Sequence, residues 1–132
     1  MLTRLRVLVQ AMTADPMLAT PTGNDEWHTP PLYLRAAKEV MGGIDCDPAS
    51  NAIAQRLVQA TVWHDKRDDG LRQRWSGRVW LNPPYSKGMV DRFVSKLGNE
   101  WRRGRVTESI VLVNAATDTA WFHALEIGRA HV

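Results

Sequence analysis

Apolar residues recur along this chain with two different periods, and the changes between them divide it into alternating strands and helices. Ile44-Asp45-Cys46-Asp47, closed by Pro48, reads as a short strand. Val79-Trp80-Leu81, within residues 78–82, and the run from Ile110 to Val113 read as buried strands. Between them the apolar positions return every three or four residues. Val90, Phe93, Leu97 and Trp101 make one stripe over residues 89–103, with Arg92, Lys96, Asn99 and Arg103 off it, the signature of an amphipathic helix. Thr29 followed by Pro30 is a helix start, Tyr33, Ala36, Ala37, Val40 and Met41 follow at helical spacing, and Gly42-Gly43 ends the element. Ser50 or Asn51 caps a second helix with Ile53, Leu57 and Ala60 on one face. Residues 63–70 read as polar loop, residues 71–75 as a helical turn, and Asp118 as the cap of a last helix carrying Trp121, Phe122 and Leu125. In residues 1–24, Leu5, Leu8, Val9 and Met12 share a helical face before Asp15-Pro16 and Pro21-Thr22-Gly23-Asn24 break the pattern. This stretch reads as a flexible lead, or as sequence upstream of a true start at Met12 or Met17.

Strands alternating with helices predict the α/β class, a parallel sheet with crossover helices. Ligands of such sheets bind beyond the carboxyl ends of the strands. Asp47 and Asn82 both fall at strand carboxyl ends, so they are expected to face one cleft.

Composition adds limits. At 132 residues the chain holds one modest domain with a core. A net charge of +3 mildly favours an anionic partner. The single cysteine, Cys46, excludes an intrachain disulfide and fits a reducing compartment. No apolar run is long enough for a bilayer span, and the apolar start, interrupted by Gln10, is too short for a signal peptide. The four histidines have no metal-ligand spacing, so no metal is expected. The six tryptophans are expected in the core and in a ligand pocket. Glu126-Ile127-Gly128-Arg129-Ala130-His131-Val132 reads as a translated sequencing adapter; the domain then covers residues 25–125 and the natural chain is expected to continue beyond.

The most specific chemistry is Asn82-Pro83-Pro84-Tyr85. Two prolines lock two φ angles and remove two backbone donors, leaving a stiff loop of acceptors beside an aromatic ring. That set suits a planar molecule bearing an exocyclic amine. Such an amine is a poor nucleophile because its lone pair is conjugated into the ring. Two acceptors aimed at its hydrogens favour a more tetrahedral nitrogen whose lone pair is free to attack. The loop resembles the catalytic motif of S-adenosylmethionine (SAM) dependent amino-methyltransferases. Together with Glu26-Trp27-His28-Thr29-Pro30, Ile44-Asp45-Cys46-Asp47-Pro48-Ala49-Ser50, Asp69-Gly70-Leu71 with Trp75, and Ala116-Thr117-Asp118-Thr119 with Trp121-Phe122, it is similar to the small phage-borne DNA N6-adenine methyltransferases of the Dam type.

The resemblance implies a Rossmann-like SAM-dependent methyltransferase sheet, incomplete at its carboxyl end, DNA as partner, and action in the cytoplasm of a bacterial host. It assigns Asn82, Pro83, Pro84 and Tyr85 to catalysis, with Tyr85 stacking on a base that must leave the duplex to be reached. Asp47, or its neighbour Asp45, would bind the ribose hydroxyls of SAM. Asp69, 13 residues before Asn82, would meet the adenine amino group of SAM. Thr29-Pro30, with Trp27 beside it, resembles the segment touching the methionine end. One departure stands out: no Gly-x-Gly loop precedes Asp47, so Gly42-Gly43 takes its place or the first strand is shortened. Arg72, Arg74 and Arg78, and Arg102, Arg103 and Arg105, are candidate phosphate contacts. The loop alone also fits cytosine N4 or a protein glutamine amide as acceptor, and a non-catalytic DNA-binding fragment is the alternative of another class.

Overall fold

The computed structural model describes residues 4–10, 20–21, 27–28 and 31–114, with side chains from residue 31 to 112. In chain order the elements are β1 (Arg4–Gln10), β2 (Thr20–Pro21), β3 (Trp27–His28), α1 (Pro31–Met41), β4 (Cys46–Asp47), α2 (Gln55–Val58), β5 (Val62–Trp63), a 3-10 turn (Gly70–Arg72), β6 (Gly77–Leu81), α3 (Met89–Arg102) and β7 (Val106–Asn114). Five strands form one sheet in the spatial order β1-β7-β6-β4-β5, and every neighbouring pair is parallel. The short pair β2-β3 is antiparallel and separate. The helix expected after Asp118 and the tail at 126–132 lie outside the described residues.

Side-chain alternation explains the three layers. Val79 and Leu81 of β6 and Val111 of β7 pack with Val90, Phe93, Val94 and Leu97 of α3. Trp80, Ile110 and Leu112 point the other way, into a cluster with Leu34, Ala37 and Met41 of α1. Successive strand residues point to opposite faces, so a strand covered on both sides reads as an unbroken apolar run. That is why the 79–81 run is legible without alternation.

Three expectations change. Residues 4–10 form a strand, not a helical face: β1 pairs with β7 from Arg4↔Glu108 to Gln10↔Asn114. A single short apolar stripe gives only a marginal helix, whereas β7 offers a row of backbone donors and acceptors that needs partners. The second helix shrinks to one turn. Asn51 Oδ1 accepts from Ala54 N at 2.8 Å and opens it, and Gln59, at φ 56°, closes it. Ile53 and Leu57 are consequently 59% and 46% exposed rather than buried. In α1 the buried residues are Leu34, Ala37 and Met41, while Val40 faces outward.

The connections create a switch point. From β4 the chain moves outward to β5, then returns past β4 to β6 and on to β7. Neighbouring strands β4 and β6 therefore send their chains in opposite directions, which opens a crevice at their carboxyl ends.

Candidate active site

A cavity of about 280 Å³ occupies that crevice, near the lower end of the range for small-molecule sites. Its walls are the Asp47–Asn51 turn after β4, the Asp65-Lys66 and Asp69-Gly70 segments after β5, and Asn82-Pro83-Pro84 after β6, closed by Trp80, Met89 and Phe93. Five of the sequence-predicted site residues thus meet in one space: Asp47, Asp69, Asn82, Pro83 and Pro84.

Asp47 is 2% exposed. Its Oδ2 accepts from Gln55 Nε2 at 2.9 Å, and its Oδ1 has no partner. Burial pushes this carboxyl up to about 7, against the opposing hydrogen bonds from Ser50, the Ala49 amide and Gln55. Asp47 borders the cavity, but Oδ1 itself has almost no accessible surface, so a donor reaches it only if its cover shifts. An orphaned carboxylate oxygen at that depth is costly unless something donates to it. A ligand carrying hydroxyl groups meets that need.

The opposite wall is set by a close backbone approach. A Cβ on Gly70 would fall 1.9 Å from the Pro48 carbonyl oxygen, so only glycine lets the two turns touch. Trp75 Nε1 donates to the Gly70 carbonyl at 2.8 Å, and the Trp75 ring stacks on Phe93 at 5.9 Å. Asp69, just before, holds φ at 56°, an uncommon conformation outside glycine, and its Oδ1 accepts from Leu71 N at 3.2 Å. Gly70→Ala is expected to cost about 1–3 kcal/mol in urea unfolding, because backbone must move to admit the methyl group. An unchanged midpoint would show that the two turns do not touch.

Asn82 is half-buried. Tyr85 donates its hydroxyl to Asn82 Oδ1 at 3.0 Å and lies 3.5 Å from the Leu112 carbonyl. Burial pushes the phenol well above its ordinary range, so it stays a neutral donor. The Tyr85 ring packs against the α3-side core and is not part of the cavity wall. Of the expected cofactor segment, the backbone of Trp27 lies in β3, and Thr29 and Pro30 lie outside the described residues.

Residues 19–131 match the family described as DNA N-6-adenine-methyltransferase (Dam). The chain belongs to this family. It is a DNA N6-adenine methyltransferase, and its α/β sheet fits a Rossmann-like methyltransferase fold. Neither a curated protein nor a solved structure matches the chain.

For a DNA N6-adenine methyltransferase, the position of the other expected residues matters. Asp45 precedes β4 and sits at the opposite end of the strand from the cavity. Its two oxygens accept from Arg78 Nε and Nη2, both at 2.9 Å, and Oδ2 also accepts from Arg78 N at 2.7 Å. Asp45 therefore ties β4 to β6, and the guanidinium holds its carboxyl below the usual range. Gly42-Gly43 lies under the same guanidinium, away from the cavity, so it does not replace the missing glycine loop there.

The arginines largely face that same amino-terminal edge. Arg78 is engaged by Asp45, Arg105 Nη1 donates to Glu100 at 2.8 Å, and Arg102 Nη2 donates to Asn99 at the end of α3. Arg103 is exposed there too, whereas exposed Lys66 lines the cavity and exposed Lys87 follows the Asn82–Tyr85 loop. Sequence reading included Gly70 in the Asp69-Gly70-Leu71 segment without giving it a role, and missed Gln55. The Asp69-Gly70 dipeptide is a turn signal that pointed at the first; nothing local marks the second. Among the described residues, no helix is long and apolar enough to cross a membrane.

Proposed function

We propose that the chain transfers a methyl group from SAM to N6 of an adenine extruded from DNA, in the cytoplasm of a bacterium carrying a phage or prophage. The observation that supports this most is the meeting of Asp47, Asp69 and Asn82-Pro83-Pro84 around one cavity at the switch point. The residues present fit SAM. Asp47 offers an unpartnered buried oxygen for ribose hydroxyls, and Asp69 offers a carboxylate to an adenine amino group. Apolar Trp80, Phe93 and Met89 suit the flat base.

When bound, SAM supplies a methyl group already activated on sulfur. The work left to the protein is alignment and a preorganised polar site. Asn82 Oδ1 has two lone pairs. One receives the Tyr85 hydroxyl, which fixes the amide's orientation, and the other accepts from the target amine. The Pro83 carbonyl takes the second amine hydrogen, its direction held by the two prolines. The nitrogen lone pair then points at the methyl, and after transfer the surplus proton leaves to water. Tyr85 acts through that hydroxyl; its ring packs against the α3-side core, so the stacking face expected of it is not on the cavity.

Duplex oligomers with and without adenine, incubated with methyl-labelled SAM and digested to nucleosides, test this reading. Label is expected only in N6-methyl-2′-deoxyadenosine. Label on cytosine, or on a protein glutamine with none on DNA, would overturn it.

A further inference from the structure

Gln55 has no assigned role, yet every polar atom of its side chain is used. Oε1 accepts from Ala60 N at 2.8 Å. A backbone N–H only donates, so the oxygen must face Ala60 and the amide cannot flip. Nε2 is thereby directed the other way, where it donates to Asp47 Oδ2 at 2.9 Å and to Ser50 Oγ at 2.8 Å. Gln55 opens the single turn of α2, whose next apolar residues line the cavity. We propose that Gln55 is a positioning residue for the cofactor: it engages Asp47 through Oδ2 and sets the carboxyl's orientation, so that Oδ1, unpartnered and covered in the free chain, is the oxygen a vicinal diol takes when the turn around it gives way.

This rests on the reading of the cavity as a SAM site and adds a consequence. A diol donates, so it binds the carboxylate form of Asp47. That carboxyl is pushed up to about 7 by burial, and the Gln55 hydrogen bond is one of the contacts that opposes the shift. The groups around it are few. Ser50 and the Ala49 amide contact it; Asp65, Lys66 and Asp69 share the cavity wall; His64 follows β5; neutral Cys46 precedes it; and Asp45, further back, is neutralised by Arg78. Cofactor affinity should therefore rise with pH, about tenfold per unit below the Asp47 midpoint, and level off above it. Taking away the Gln55 donor moves the midpoint upward.

The experiment is calorimetric titration with S-adenosylhomocysteine, and with its 2′,3′-dideoxy analogue, from pH 5.5 to 9. It compares the wild-type chain with Gln55→Glu and Gln55→Met. Gln55→Glu keeps an acceptor for Ala60 N but replaces the donor facing Asp47. The wild type is expected to show diol-dependent binding that strengthens to about pH 7. Gln55→Glu is expected to move the inflexion up by a unit or more, weakening binding about tenfold at pH 7 and little at pH 9. Gln55→Met should shift in the same direction. If the wild type ignores the diol, the cofactor reading itself fails. If it requires the diol but both variants keep the wild-type inflexion, only the role of Gln55 is lost. If both variants fail to fold, Gln55 belongs to the scaffold and the proposal is overturned.

Discussion

Asn82→Ala is expected to lower the single-turnover rate of methyl transfer about 10²–10³-fold, while cofactor affinity stays within about twofold. The magnitude is that of removing one preorganised polar contact from a site where charge develops. The selectivity follows from position. Asn82 lines the cavity beside Pro83 and Pro84, while the expected cofactor oxygens of Asp47 and Asp69 come from other loops. Two effects combine in the alanine variant. The amine loses an acceptor, and the Tyr85 hydroxyl loses the partner it reaches at 3.0 Å. Asn82→Asp separates them, because a carboxylate still accepts from both; it should retain activity within about tenfold. Tyr85→Phe removes only the anchoring hydroxyl and should fall between the two. Equal rates for wild type and Asn82→Ala would end the role assigned to this side chain.

What the sequence made legible was local. The joints where Asp47 and Asn82 end their strands could be placed because proline stops both: one is the apolar run Val79-Trp80-Leu81, the other the alternating Ile44-Asp45-Cys46-Asp47. The long helix over residues 89–102 was readable because its stripe repeats for four turns. What stayed hidden depends on partners far away along the chain. Asp45 and Asp47 are two residues apart and look interchangeable, but a strand of two residues carries them to opposite ends of the sheet. Asp45 is then claimed by Arg78, 33 positions on. The same pairing engages Arg78, one of the candidate phosphate contacts, and Glu100 engages Arg105. The strand at residues 4–10 depends on β7, about a hundred residues later, and no local period reveals it. Gly70 looks like an ordinary turn glycine until Pro48 is seen against it. The site was therefore readable in its chemistry and unreadable in its supports.

Those supports lead to the largest expected loss of stability. Glu100→Ala is expected to cost about 2–4 kcal/mol, from a buried amide left without its acceptor and a cavity where the side chain was, while Arg105, one third exposed, is solvated instead. Glu100 is 1% exposed on α3. Its Oε2 accepts from Trp75 N at 2.9 Å and its Oε1 from Arg105 Nη1 at 2.8 Å. Alanine would leave a buried amide unpaired, worth about 1–3 kcal/mol by itself. It would also release the segment in which Trp75 holds the Gly70 carbonyl, so cofactor affinity should fall along with stability. Glu100→Gln preserves shape but turns an N–H toward either Trp75 N or Arg105, so it should restore little. The pH dependence has a definite sign. Burial pushes the Glu100 carboxyl up, but the Trp75 amide, Arg105 and Lys96 together pull it below its ordinary value. A depressed folded-state value gives stability that is present above the unfolded value and is lost as pH falls through the folded one. Urea unfolding should thus show the full difference between wild type and Glu100→Ala at pH 7, narrowing below about pH 4. Asp47, pushed the other way, works in the opposite sense: between about 7 and the ordinary carboxylate range the folded chain holds its proton more tightly, so Asp47 contributes stability as pH falls. Asp47→Asn should remove that second slope and leave the acid limb due to Glu100 intact. A Glu100→Ala loss below about 1 kcal/mol at pH 7 would mean the carboxylate is not the link between α3 and the Gly70 wall.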